Sequence, residues 1–273
     1  MGQRLAAFIA LLSTTAFPVW ALDQGRSTAH AVAMEYFAVH GDVSIDEFFH
    51  ASVMAIPAQA SSGPDRCPLA YALRFFDGLP RGDVDTALRA IRPHAVTAEE
   101  RRRIRATLPA KGHVTPTPRE TVMLDALRTV LVYHQRHDVF EIKVIDIPQA
   151  YVGLHGRAIL LISRRALRLL SVSELQAVVA HEIAHDFFWG EFQLALKNGD
   201  LPLRHQLELQ CDGVAVLTLI ALSMDALHLN AAVLQLVRYN EMLGASDDAA
   251  EYPAPSDRRL LVSILVESRG DRR

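Results

Sequence analysis

Residues 171–185 read Ser171-Val-Ser-Glu174-Leu175-Gln-Ala-Val178-Val179-Ala-His181-Glu182-Ile183-Ala-His185. Ser171 and Glu174 stand three apart, the spacing of a capping box in which each side chain bonds the other's backbone amide at a helix start. Leu175, Val178, Val179 and Ile183 then recur at helical spacing and define a buried stripe. On that helix His181 and His185 lie four residues apart and share a face, so both imidazoles can bind one cation. Glu182 sits beside them, where a carboxylate can reach a cation-bound water. The donor types favour zinc, which accepts imidazole and carboxylate in tetrahedral geometry and acidifies its bound water to a pKa of about 7.

A catalytic zinc needs a third protein ligand, and two carboxylates compete for that place. Glu191 lies six residues after His185, but the local pattern that uses that spacing needs Gly at 188, where this chain has Phe188. Glu208 lies in His205-Gln-Leu-Glu208-Leu-Gln-Cys211-Asp212, on an otherwise apolar helix. Buried carboxylates on such a helix are costly unless they are paired or bind a metal. Glu208 is the favoured ligand. Asp212, one turn on, is then placed to accept from a liganding imidazole and fix its orientation.

Outward from this centre, Thr117-Pro-Arg-Glu120 opens a helix whose apolar residues are Val122, Met123, Ala126, Leu127, Val130 and Leu131. Phe140–Ile147 and Arg157–Ser163, rich in Ile, Val and Leu, read as strands. Helices are expected over 204–223 and 226–243, the second closed by Gly244, and a last one over 257–268 capped by Ser256. Asp186 to Trp189 are expected to finish the metal helix and pack on the sheet. Upstream, Ser44–Glu47 and Thr97–Glu100 are further capping boxes, and Arg101–Arg105 reads as a solvated helix face.

The chain has 273 residues, a net charge of −3, 50% hydrophobic residues and two cysteines. That hydrophobic share excludes a disordered chain, and the charge balance argues against a nucleic-acid partner. Two cysteines cannot build a disulfide scaffold; Cys67 and Cys211 are either one disulfide or two separate thiols. Residues 1–21, with Arg4, the apolar Leu5–Phe17 and small residues at the two positions of Val19-Trp20-Ala21 that a signal peptidase reads, read as a cleaved secretory signal. Pro18 and Trp20 weigh against an uncleaved anchor, and no membrane span is expected in the mature chain. The expected location is the periplasm, or outside the cell. Residues 22–115 are expected to form an N-terminal helical region, and 116–273 the domain that carries the metal helix.

HExxH followed by a second helix bearing ExxxD resembles the gluzincin metallopeptidases, and within them the M48 family. The likeness extends to Val144-Ile-Asp-Ile-Pro-Gln-Ala150, Gly156–Ser163 and Glu174–His181. It implies a mostly helical, zincin-like α+β domain with a small β-sheet and one zinc ion per chain. By resemblance, His181, His185 and Glu208 are the zinc ligands, Glu182 the general base and Asp212 the supporting carboxylate. Ala150, Tyr151, Val152 and Gly153 then border the cleft and pair with an extended peptide or unfolded protein substrate. The family's C-terminal His is missing from Pro255-Ser256-Asp257-Arg258-Arg259-Leu260, which keeps the Arg; Tyr252 is the candidate oxyanion donor in its place. The implied activity is zinc-dependent endopeptidase cleavage of exported proteins. The alternative is a zinc-containing envelope binding or chaperone-like module, motivated by the altered C-terminal signature and the unassigned N-terminal region.

Overall fold

The computed structural model describes residues 67–80, 83–108, 113–244 and 252–270. The expected signal segment and the Ser44–Glu47 box lie outside the described residues. Three helices come first, α1 (Pro68–Asp77), α2 (Val84–Ile91) and α3 (Ala98–Ala106). The Thr97–Glu100 capping box forms at the start of α3; Arg102, Arg103 and Arg105 are exposed, while half-buried Arg101 donates to the Asp138 carbonyl. The second box, Thr117 with Glu120, opens α4 (Pro118–Ala126). The single helix expected there tightens at Leu127 through a bond from its N–H to the Leu124 carbonyl, and α5 (Arg128–Tyr133) continues from it. Val122 departs from the expected apolar face: it is 67% exposed, while Met123, Leu127 and Val130 are buried.

The sheet holds β1 (Glu141–Ile145), β2 (Val152–His155) and β3 (Ile159–Ser163) in the order β1-β3-β2. β1 runs parallel to β3 and β2 antiparallel to it. Central β3 is buried along its whole length, which explains why its sequence shows no polar alternation. The β2–β3 turn places Gly156 and Arg157 both at positive φ, the pattern of a type I′ hairpin turn. A Cβ at Gly156 would fall 2.6 Å from Ile104 Cγ2, so glycine serves the approach of α3 as well as the turn.

α6 (Arg164–Leu169) leads into the metal helix α7 (Val172–Phe187), whose Ser171–Glu174 capping box forms as expected. α7 packs between β2 and α9 (Leu201–Ala221), with Leu175, Val179 and Ile183 fully buried. α9 starts three residues earlier than its apolar pattern indicates, because Asp200 caps it by accepting from the Leu203 N–H at 3.0 Å. A separate helix, α8 (Trp189–Asn198), precedes it and ends in left-handed Gly199. Trp189 therefore opens α8 instead of finishing the metal helix. α10 (Leu227–Met242) closes with Gly244 at φ +71°, as expected. α11 (Pro255–Gly270) begins before Ser256, which lies inside its first turn and is not its cap.

The boundary expected near residue 115 does not divide the core. Phe76 and Leu88 from the first helices share one apolar cluster with Leu175, Val214 and Leu261. The approach of α1 to α9 is close enough that a Cβ at Gly213 would fall 2.2 Å from the Phe76 ring. Among the described residues no helix is long and apolar enough to cross a membrane.

Candidate metal and catalytic site

Three helices and the sheet edge meet at one end of α7. His181 and His185 project from successive turns, their ring centroids 5.0 Å apart. Glu208 and Asp212 project from successive turns of α9 toward them. His181 Nδ1 lies 2.9 Å from Asp212 Oδ1, which turns Nε2 toward Glu208 Oε2 at 3.3 Å. His185 Nε2 lies 3.9 Å from Glu208 Oε1. Tetrahedral zinc with bonds of about 2.0–2.2 Å holds its ligand atoms about 3.3–3.6 Å apart; the His181–Glu208 distance falls in that range and the His185–Glu208 distance lies just beyond it. The residues fit the metal.

One ligand atom from each of His181, Glu182 and His185 lies within 4.8 Å of the others, so Glu182 also borders the centre. The two glutamates are distinguished by their surroundings. Glu182 Oε2 accepts from the Leu154 N–H on β2 at 3.1 Å. Burial raises its pKa to about 7, with His181 opposing and Glu208 adding to the rise. Glu208 is also buried, which favours the neutral form, but the contact with His181 and the charges of His185 and Arg258 outweigh burial and hold it ionised. An ionised carboxylate facing both Nε2 atoms suits a ligand; one that titrates near neutrality suits proton transfer. Glu191 lies exposed in the first turn of α8 and does not join the cluster.

The imidazoles differ in the same way. Burial alone would lower the His181 pKa, yet Asp212 and Glu208 reverse the effect and raise it to about 10. His185 goes the other way, to about 4, because burial outweighs the pull of Glu208. Its Nδ1 faces the Cys211 sulfur at 3.6 Å. Cys211 and Cys67 are free thiols, one buried and one exposed; the disulfide is not formed, and burial pushes the Cys211 thiol well up.

Arg258, from the first turn of α11, binds both α9 carboxylates. Its Nη1 donates to Asp212 Oδ1 at 3.0 Å and its Nη2 to Glu208 Oε2 at 3.1 Å. The retained C-terminal Arg therefore orients the carboxylates that face the histidines. Half-buried Tyr252 lies on the segment leading into α11 and interacts electrostatically with Arg258. His155, on β2, turns away from the centre to pair with Thr107 Oγ1 at 2.9 Å.

Behind the centre Asp186 is buried and bound by two arginines, Arg136 from the turn after α5 and Arg157 from the β2–β3 turn. Arg136 also donates to the Pro93 carbonyl and Arg157 to that of His94. This network fixes the end of the metal helix to the hairpin. Nothing in the spacing of these residues announces it.

A model of peptidase family M48 matches residues 117–187, from the Thr117 cap through the last residue of α7. Over those residues the chain is similar to the M48 peptidases. No curated protein matches it. The M48 match contains His181, Glu182 and His185 and stops before Glu208, Asp212 and Arg258, which the fold brings to the same point. The matched residues also contain all three strands of the described sheet. The match supports metalloprotease chemistry in general terms.

Proposed function

We propose that this protein is a zinc endopeptidase acting on peptides or unfolded protein substrates, exported to the cell envelope behind the segment 1–21. The observation that carries the proposal is the convergence of Glu208 on the two histidine Nε2 atoms, with Glu182 bordering the same centre and bonded to the sheet edge. His181, His185 and Glu208 would hold one zinc ion, which when bound supplies a Lewis acid and an acidified water. Asp212 holds His181 so that Nε2 faces the ligand position, and Arg258 holds Asp212 and Glu208 in register. Glu182, with its pKa near 7, takes a proton at its carboxylate and returns it to the leaving amine. β2 is an edge strand of the sheet, and an extended peptide can lie along it by main-chain pairing. Tyr252, beside Arg258, is the candidate donor to the developing oxyanion.

The test compares wild type with Glu182→Gln on an unfolded protein substrate, with zinc content measured on both. The expected result is a loss of about 10²–10⁴-fold in hydrolysis with zinc retained. Equal hydrolysis by the two proteins contradicts the role given to Glu182.

A further inference from the structure

The outward edge of β2 is already partly filled by the protein's own side chains. Tyr151 turns its backbone toward β3: its N–H donates to Ser163 Oγ at 2.8 Å, and its carbonyl accepts from the Ser163 N–H at 2.8 Å. Successive residues of an extended chain present their polar groups to opposite sides. Ala150, Val152 and Leu154 therefore face away from β3, along the side where a substrate would pair. Two observations agree with this alternation. The Leu154 N–H donates to Glu182, and both backbone groups of Ala150 bond to Asn240 on α10.

The Asn240 contact has the form of strand pairing. Its Oδ1 accepts from the Ala150 N–H at 2.9 Å, and its Nδ2 donates to the Ala150 carbonyl at 3.1 Å. A paired antiparallel residue makes the same double exchange. The side-chain amide thus stands where one residue of a bound peptide would stand. α10 is held there firmly: Leu229 and Ala232 are buried, and Gln235 donates to Glu174 at the start of the metal helix. Ala150 itself is buried, so water does not compete for these bonds.

We propose that Asn240 closes one end of the substrate-binding edge and sets how many substrate residues can pair on that side of the scissile bond. This rests on the peptidase reading and names its substrate class. Leu154 marks the catalytic end, through Glu182, and Ala150 the closed end. The four-residue step between them spans about 13 Å at roughly 3.3 Å per residue, room for about three substrate residues. Peptides that end or turn within that distance are accommodated. Longer ones must displace the amide or bend out of the cleft.

The test measures binding without turnover. Fluorescent peptides extended stepwise on either side of a central sequence are titrated by anisotropy into zinc-loaded Glu182→Gln and into Glu182→Gln/Asn240→Ala. In one of the two series, affinity for the Glu182→Gln protein should fall about five- to tenfold once the extension passes about three residues, the worth of one or two peptide hydrogen bonds. In the double variant that step should disappear. Glu182→Gln/Asn240→Asp, which keeps an acceptor for the Ala150 N–H and loses the donor to its carbonyl, should show a smaller step. Melting temperatures of all three establish that they are folded. A step of unchanged size in the Asn240→Ala variant overturns the proposal, and so does the absence of a step in both series. Because these readings need no hydrolysis, a wild-type protein that binds the peptides but cleaves none refutes the peptidase reading alone.

Discussion

Two buried clusters of arginine and carboxylate meet the same turn of the metal helix, and they differ in what remains unsatisfied. Around Asp186, Arg136 and Arg157 take both carboxylate oxygens, while backbone carbonyls at 93 and 94 take further guanidinium protons. Two cations meet one anion, and both of its oxygens are engaged. Around Glu208, one arginine serves two carboxylates and two imidazoles crowd the same point. Two carboxylates share one guanidinium, and the nitrogen and oxygen donors of His181, His185 and Glu208 converge. Such a set is completed by a divalent cation. Neighbouring positions on one helix therefore face two ways: Asp186 toward the arginines behind it, and His185 toward the proposed zinc site.

The largest effect that separates the clusters is on stability. Asp186→Ala leaves the buried Arg136 guanidinium without its carboxylate, which is expected to cost about 3–5 kcal/mol. Thermal unfolding should show a correspondingly lower midpoint, while zinc stoichiometry below that midpoint stays that of wild type. Loss of zinc from the still-folded variant would erase the distinction between the two clusters.

A smaller effect is expected from Asp212→Ala. It removes the oxygen that orients His181 and half of the Arg258 clamp, and zinc affinity should weaken about 10–100-fold in a competitive chelator titration. Affinity unchanged within a factor of two would mean that His181 is oriented by its packing alone.

The contrast also explains what could be read before folding. The metal helix, its cap, the ExxxD pair and the strands are local patterns, each held within a few turns or one alternating run. They appear as expected in α7, α9, β1 and β3. The arginine partners carry no such signal. Arg258 reaches Asp212 across 46 residues and Arg136 reaches Asp186 across 50, so only tertiary packing pairs them. Asn240 meets Ala150 across 90 residues and looks in sequence like any polar residue near a helix end. α8 was hidden for a different reason. Phe187, Phe188 and Trp189 read as one continuous apolar end, whereas the chain breaks at Phe188 to place its ring edge-on to Phe75. Loop-forming residues near 115 mark a connection, and among the described residues the helices before it share an apolar cluster with those after it.

The central claim is that Glu208 completes the metal site with His181 and His185. It is tested most directly by elemental analysis of zinc in purified wild type, Glu208→Ala and Glu191→Ala, with circular dichroism confirming that each is folded. The account predicts about one zinc ion per chain in wild type and in Glu191→Ala, and strong loss in Glu208→Ala. Full occupancy in folded Glu208→Ala, with loss in Glu191→Ala, would contradict it.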